Sequence, residues 1–138
     1  MSDLEKACDL LRTQGYTCVL CKNGVFYTTS QRGVAPLLTW LESGIDLTGA
    51  SAADKVVGKG AAFLYCLLGV KTVYSHVMSV AARDALTEWG IESSYETLTD
   101  AIINRKGTDV CPIEKAVFDI SEPREALLTI KNTLMQLL

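Results

Sequence analysis

Apolar residues recur at three- and four-residue intervals through Leu4, Ala7, Cys8, Leu10 and Leu11, which predicts an opening helix stopped by Gly15. Tyr16–Cys21 and Val25–Thr28 are rich in β-branched and aromatic residues and flank Lys22-Asn23-Gly24. An Asn-Gly pair between two such runs predicts a β-hairpin. Ala35–Glu42, with Pro36 in its first turn, reads as a short helix ended by Ser43-Gly44. Val70–Val77 has the pattern of a buried strand. Ser79 is placed to cap an amphipathic helix over Val80–Trp89, and Ile91–Tyr95 reads as a further strand. Ile102-Ile103 and the turn Asn104–Gly107 precede a short Pro-started helix from Cys111-Pro112 to Phe118. Ser121-Glu122-Pro123 opens a last helix through Leu127, Ile130, Leu134 and Leu137.

Between the second helix and the Val70 strand the pattern predicts one long helix, Ser51–Leu68. Ser51 and Asp54 have the spacing of a capping box. Val56, Gly60, Phe63 and Leu67 form one stripe, with Val57, Ala61, Leu64 and Leu68 beside it. Gly60 inside a helix costs about 1 kcal/mol relative to Ala, which predicts close approach of another backbone. On such a helix Lys55 and Lys59 share a face near the positive dipole end, a plausible anion site. Gly49–Lys55 lacks the second Gly and the Ser/Thr of a phosphate loop, so that reading is rejected.

Hairpin, helix, strand, helix and strand in this order imply an α/β domain with a mixed, largely parallel sheet covered on both faces. Ligands of such sheets gather at the carboxyl ends of strands. A chain of 138 residues is read as one domain, 1–138, large enough for a real core. Net charge −3 gives no basic footprint for nucleic acid. The longest apolar run, Ala61–Val70, is too short to span a bilayer. The acidic, amphipathic N-terminus is not a signal peptide. Five scattered cysteines fit reduced thiols in a cytoplasm.

Cys18-Val-Leu-Cys21 has the C-x-x-C form but falls on a predicted strand, where residues three apart face opposite ways. Cys111 is the strongest single candidate for chemistry, because it precedes a Pro-started helix whose dipole favours thiolate. Glu114 is cap-spaced at the same helix start. His76, the sole histidine, is a candidate acid/base, and Asn104 and Arg105 lie in a loop suited to an anion or a base edge. Trp40, Trp89 and Tyr65 read as core.

The segments Ala53-Asp54-Lys55-Val56-Val57-Gly58-Lys59 and Ile103-Asn104-Arg105…Cys111-Pro112-Ile113-Glu114 resemble an uncharacterised bacterial domain-of-unknown-function family with a cytidine deaminase-like fold. The resemblance covers nearly the whole chain and implies a three-layer α-β-α sandwich, without an established activity. Deaminases hold zinc through H-A-E (or C-A-E) and P-C-x-x-C at successive helix starts. Here Ala52-Ala53-Asp54 and Val77–Ala82 stand in those places. All three ligands are missing, so no metal or other cofactor is expected, and only Asp54 could stand in for the Glu.

Two functions follow. One is a module binding a small anionic or nucleotide-like ligand through Asp54, Lys55, Lys59, Asn104, Arg105 and Glu114. The alternative is an enzyme with Cys111 as nucleophile or redox thiol and Asp54 or Glu114 moving protons. Neither nucleic acid nor membrane is an expected partner, and homo-oligomerisation stays open.

Overall fold

The structure, a computed structural model, describes residues 1–104 and 106–137. Helix α1 (Asp3–Thr13) opens with a reciprocal cap: Ser2 Oγ accepts from Glu5 N–H and Glu5 accepts from Ser2 N–H. It leads to the predicted hairpin, β1 (Cys18–Lys22) and β2 (Val25–Thr29). Lys22 faces Val25 across the two-residue turn, with Asn23 and Gly24 at φ 51° and 79°. Asn and Gly tolerate those left-handed angles best. The Asp3 carboxylate clamps this turn, accepting the Asn23 and Gly24 N–H groups at 2.8 and 3.2 Å. Helix α2 (Ala35–Ser43) follows.

The long helix expected over Ser51–Leu68 is two elements. Ser51–Val57 is a strand, β3, and the helix, α3, runs Lys59–Leu68 from an N-cap at Gly58. Ser51 and Asp54 therefore cap nothing, and Lys55 and Lys59 share no helix face. Propensity misleads here because β3 is Ala-rich. Ala52 and Ala53 are fully buried on the two faces of the central strand, and small side chains let helices lie close on both sides. The close approach expected at Gly60 is real, but a side chain makes it: a Cβ there would meet Ile113 Cγ2 at 2.5 Å.

After α3 come β4 (Thr72–Ser79), α4 (Val80–Glu88) and β5 (Glu92–Thr99), the last extending beyond its predicted end at Tyr95. Helix α5 (Pro112–Val117) follows an isolated bridge between Ile103 and Val110, and α6 (Pro123–Gln136) completes the chain. The sheet order is β2-β1-β3-β4-β5. β3, β4 and β5 run parallel, while β1 pairs antiparallel with both β2 and β3. The sheet is mixed and parallel in two of its four pairings.

One face of the sheet packs on α1 through Ala7, Leu11, Val19, Cys21 and Ala53. The opposite core joins Leu20, Ala52 and Val73 to α3, α4 and α6. Cys18 and Cys21 fall in different cores, as alternation requires. All five cysteines are free. Tyr65 is in the core; Trp89, expected there, is 46% exposed at the end of α4. Among the described residues no helix is long and apolar enough to cross a membrane.

Candidate functional site

β3, β4 and β5 point their carboxyl ends to one edge, and α3 and α4 start there. Ser79 ends β4 and caps α4, its Oγ accepting from Ala82 N–H at 3.0 Å. The chain beyond β5 folds back as α5 to form the far wall. Between these elements lies a cleft of about 360 Å3. Ile102, Val110 and Phe118 supply apolar surface; Lys59, Lys115, Asp100, Asp119 and Glu114 supply charge.

The Glu114 carboxylate is at the cleft, but it caps α3 rather than its own helix. Its Oε1 accepts Lys59 N–H at 2.7 Å and its Oε2 accepts Gly60 N–H at 3.1 Å. Two orphan donors of a helix whose N-cap, Gly58, has no side chain to offer are thus satisfied by an anion at the positive dipole end. The two cations are engaged as well. Lys59 Nζ donates to the Phe118 carbonyl at 2.8 Å and lies 5.6 Å from the Phe63 ring centre. Lys115 pairs with Asp109 on the exposed side. The cleft is of mixed charge, with both lysines and Glu114 already engaged, not the simple cationic anion site expected from paired lysines.

Of the other sequence-derived candidates among the described residues, none lines this cleft. Asp54 lies on β3 beneath α3, where it accepts the Tyr65 hydroxyl at 2.6 Å. Tyr65 Oη is in turn 3.1 Å from the Sγ of Cys18, the register partner of Asp54. A single O–H cannot donate twice, so the chain of protons runs Cys18 to Tyr65 to Asp54. Burial pushes the Asp54 carboxyl up to about 6, while the Tyr65 hydrogen bond pulls it back. Burial also raises the Tyr65 hydroxyl and the Cys18 thiol well above their ordinary values, leaving Asp54 as the anion of the three.

Lys55 is exposed, and its backbone N–H bonds the Thr17 carbonyl. The Asn104 side chain closes its own turn, donating to Thr108 Oγ1 and accepting from Thr108 N–H. Cys111 is the N-cap residue of α5 and packs half-buried against the main core; its side chain makes no capping bond. Arg105 lies outside the described residues. Sequence reasoning missed Asp100, Lys115, Phe118 and Asp119, which sit in loops and a short helix with no motif to mark them. The Tyr65 hydroxyl was hidden because the residue itself reads as core.

A deaminase-type zinc ion needs Cys or His at the two helix starts. Gly58-Lys59-Gly60 and Ser79–Ala82 contain neither, and no three His, Cys, Asp or Glu among the described residues gather as a metal cluster. The residues present do not fit zinc.

No curated protein matches the chain in sequence. Among solved structures, the chain is similar to a DUF1893 family protein (TM1506) from Thermotoga maritima. The TM-score is 0.87 at 21% identity, covering 96% of this chain and 90% of that one. Weaker similarity links it to a dCMP deaminase from the cyanophage S-TIM5, with TM-score 0.45, 17% identity, and 56% and 77% of the two chains covered. A diaminohydroxyphosphoribosylaminopyrimidine deaminase/5-amino-6-(5-phosphoribosylamino)uracil reductase from Thermotoga maritima gives 0.42 at 18% identity, over 67% and 34%. The profile of a domain of unknown function, DUF1893, matches residues 6–134. The chain, an α/β protein with a five-stranded mixed sheet, belongs to the DUF1893 family.

Proposed function

We propose that the protein is a binding module for a small, polar, nucleotide-like molecule seated in the cleft at the carboxyl ends of β3, β4 and β5. The observation that carries this reading is the cleft itself: about 360 Å3, apolar on one wall, with Lys59, Lys115, Asp100 and Asp119 around it. Small-molecule sites typically occupy about 300–1,000 Å3 and combine such walls with a few oriented polar groups. The carboxylates suit ring amino groups or hydroxyls. An anionic group of the ligand is read by Lys115, whose exposed pairing with Asp109 is weak enough to exchange. Cys111 lies outside this lining, which favours the module over an enzyme with a Cys111 nucleophile. Five free thiols suit a reducing, cytoplasmic setting.

The test is calorimetric titration with nucleosides, nucleoside monophosphates and inorganic phosphate. Saturable binding of a nucleoside or its monophosphate, weakened by Asp119→Asn and Lys115→Ala, is expected. Absence of binding across the panel, or binding indifferent to both substitutions, defeats the reading.

A further inference from the structure

Strand β2 closes one edge of the sheet, and among the described residues it pairs with β1 alone. The phase of its backbone follows from the hairpin. Lys22 and Val25 flank a two-residue turn and form a hydrogen-bonded pair, and such pairs alternate along an antiparallel ladder. The backbone groups of Val25, Tyr27 and Thr29 therefore point to β1. The Thr29 carbonyl bears this out, accepting Thr17 N–H at 2.9 Å. The N–H and C=O groups of Phe26 and Thr28 point away from the sheet.

Native sheets guard such an edge with charged side chains, proline or a bulge. The other edge of this sheet is guarded, since β5 carries Glu92 and Glu96, both exposed. β2 reads Val25-Phe26-Tyr27-Thr28-Thr29, with no charge and no proline, and it pairs residue for residue with β1. Val25 is 54% and Phe26 41% exposed, and α1 packs on β1 and β3 instead. An open edge of β-branched and aromatic residues is a template for another strand.

The pattern of β2 is complementary to itself. Tyr27 is its middle residue, and a two-fold axis there sets Phe26 of each copy opposite Thr28 of the other. These are the two residues with outward backbone groups, so each pair exchanges both of its N–H···O bonds. Tyr27 then meets Tyr27 in the closer, non-hydrogen-bonded position, an aromatic cross-strand pair on the face of the main core. Phe26 lies on the opposite face, as does its register partner Cys21.

Charge stands only at the ends of the strand. Asp3, Lys6 and Lys22 surround the turn, with Lys22 already paired to Asp46 at 3.3 Å, and Arg32 follows the other end. Antiparallel pairing carries Arg32 of each copy towards the turn of the other, where the Asp3 carboxylate is held by the Asn23 and Gly24 N–H groups.

We propose that β2 is the docking surface for a second copy of this chain, paired antiparallel about a two-fold axis at Tyr27 so that two five-stranded sheets become one. The interface is isologous, and it uses no residue that lines the cleft.

The experiment is sedimentation equilibrium of the full chain from micromolar to millimolar concentration, with amide hydrogen exchange at both ends of that range. A mass twice the 15.0 kDa of one chain is expected at high concentration, with the Phe26 and Thr28 amides protected there and open at low concentration. Thr28→Pro removes an N–H that a lone copy leaves unused, at an edge position where proline is tolerated. It should weaken association about a hundredfold, two hydrogen bonds across the two-fold at about tenfold each, with an unchanged circular dichroism spectrum. Phe26→Lys, which charges the edge without touching the backbone, should also give a single-chain mass. The proposal is overturned by a single-chain mass at every concentration, by a dimer whose protected amides lie on β5, or by a dimer that both variants leave intact.

Discussion

A Cβ built on Gly58 would stand 2.4 Å from Cδ of Glu114, inside any permissible contact. The backbone at Gly58 is ordinary, with φ −96°, so glycine is required there by the carboxylate and not by conformation. The two residues act as one device: an empty space at the start of α3, and a side chain from α5 that fills it.

Gly58→Ala should therefore destabilise the fold by about 2 kcal/mol, as expected for overpacking a filled site. Glu114→Ala should cost about 1–2 kcal/mol, the loss of a helix cap. The double variant should cost less than the sum, because the alanine methyl occupies the space vacated by the carboxylate. Urea denaturation of the four proteins measures the coupling, and strict additivity would contradict the contact.

The Asp54 carboxyl makes folding depend on pH in the direction opposite to most acids. Burial raises it to about 6 from 3.8, so the folded state binds the proton more tightly than the unfolded chain. Its contribution is most favourable below about pH 4 and is lost as pH rises towards 6, by at most about 3 kcal/mol. Asp3, Glu5, Asp46 and Asp109 are shifted down and act with the other sign. The clean measurement is thus the difference between the wild type and Asp54→Asn across pH 4–7. That difference should move in favour of Asn as pH rises; a flat difference would falsify the assignment.

Tyr65→Phe removes the one hydroxyl that joins Asp54 to Cys18. Stability at neutral pH should fall by about 1–3 kcal/mol, since a buried carboxylate loses its donor. The Asp54 carboxyl should titrate higher than in the wild type, because the Tyr65 bond opposes the effect of burial. Carbon-detected NMR of the carboxyl reads this directly, and a downward movement would be inconsistent with the geometry.

Cys18 is 5% exposed and its thiol is held well above the usual range, chiefly by burial. Alkylation of Cys18 under native conditions should follow global unfolding, with the denaturant dependence of the whole domain. Cys8, Cys66 and Cys111, all partly exposed, should react through smaller openings. Mass-resolved labelling with iodoacetamide separates the two groups. Early reaction at Cys18 would show that the Tyr65 contact does not persist.

What could be read from the chain beforehand divides along physical lines. The hairpin was plain because Asn23-Gly24 demands one backbone geometry, and α4 because Ser79, the apolar period and Gly90 agree. The β3–α3 boundary was not, since Ser51, Ala52, Ala53 and Asp54 have no strand propensity and become a strand only by lying between β1 and β4. That error carried the lysines and Asp54 with it, and placed them on a helix face that does not exist. Glu114 and Lys59 were legible as polar residues near helix starts; that one caps the other's helix depends on a contact that only the folded chain makes.

The cap on α3 is supplied from 55 residues downstream. On the ribosome, α3 therefore emerges without it and keeps a loose first turn until α5 has been synthesised and has docked. Closing so long a loop is entropically late, so the Glu114 contact should be absent from the folding transition state. Its removal should leave the folding rate almost unchanged and speed unfolding, making this carboxylate a determinant of how long the native state lasts more than of how fast it is reached.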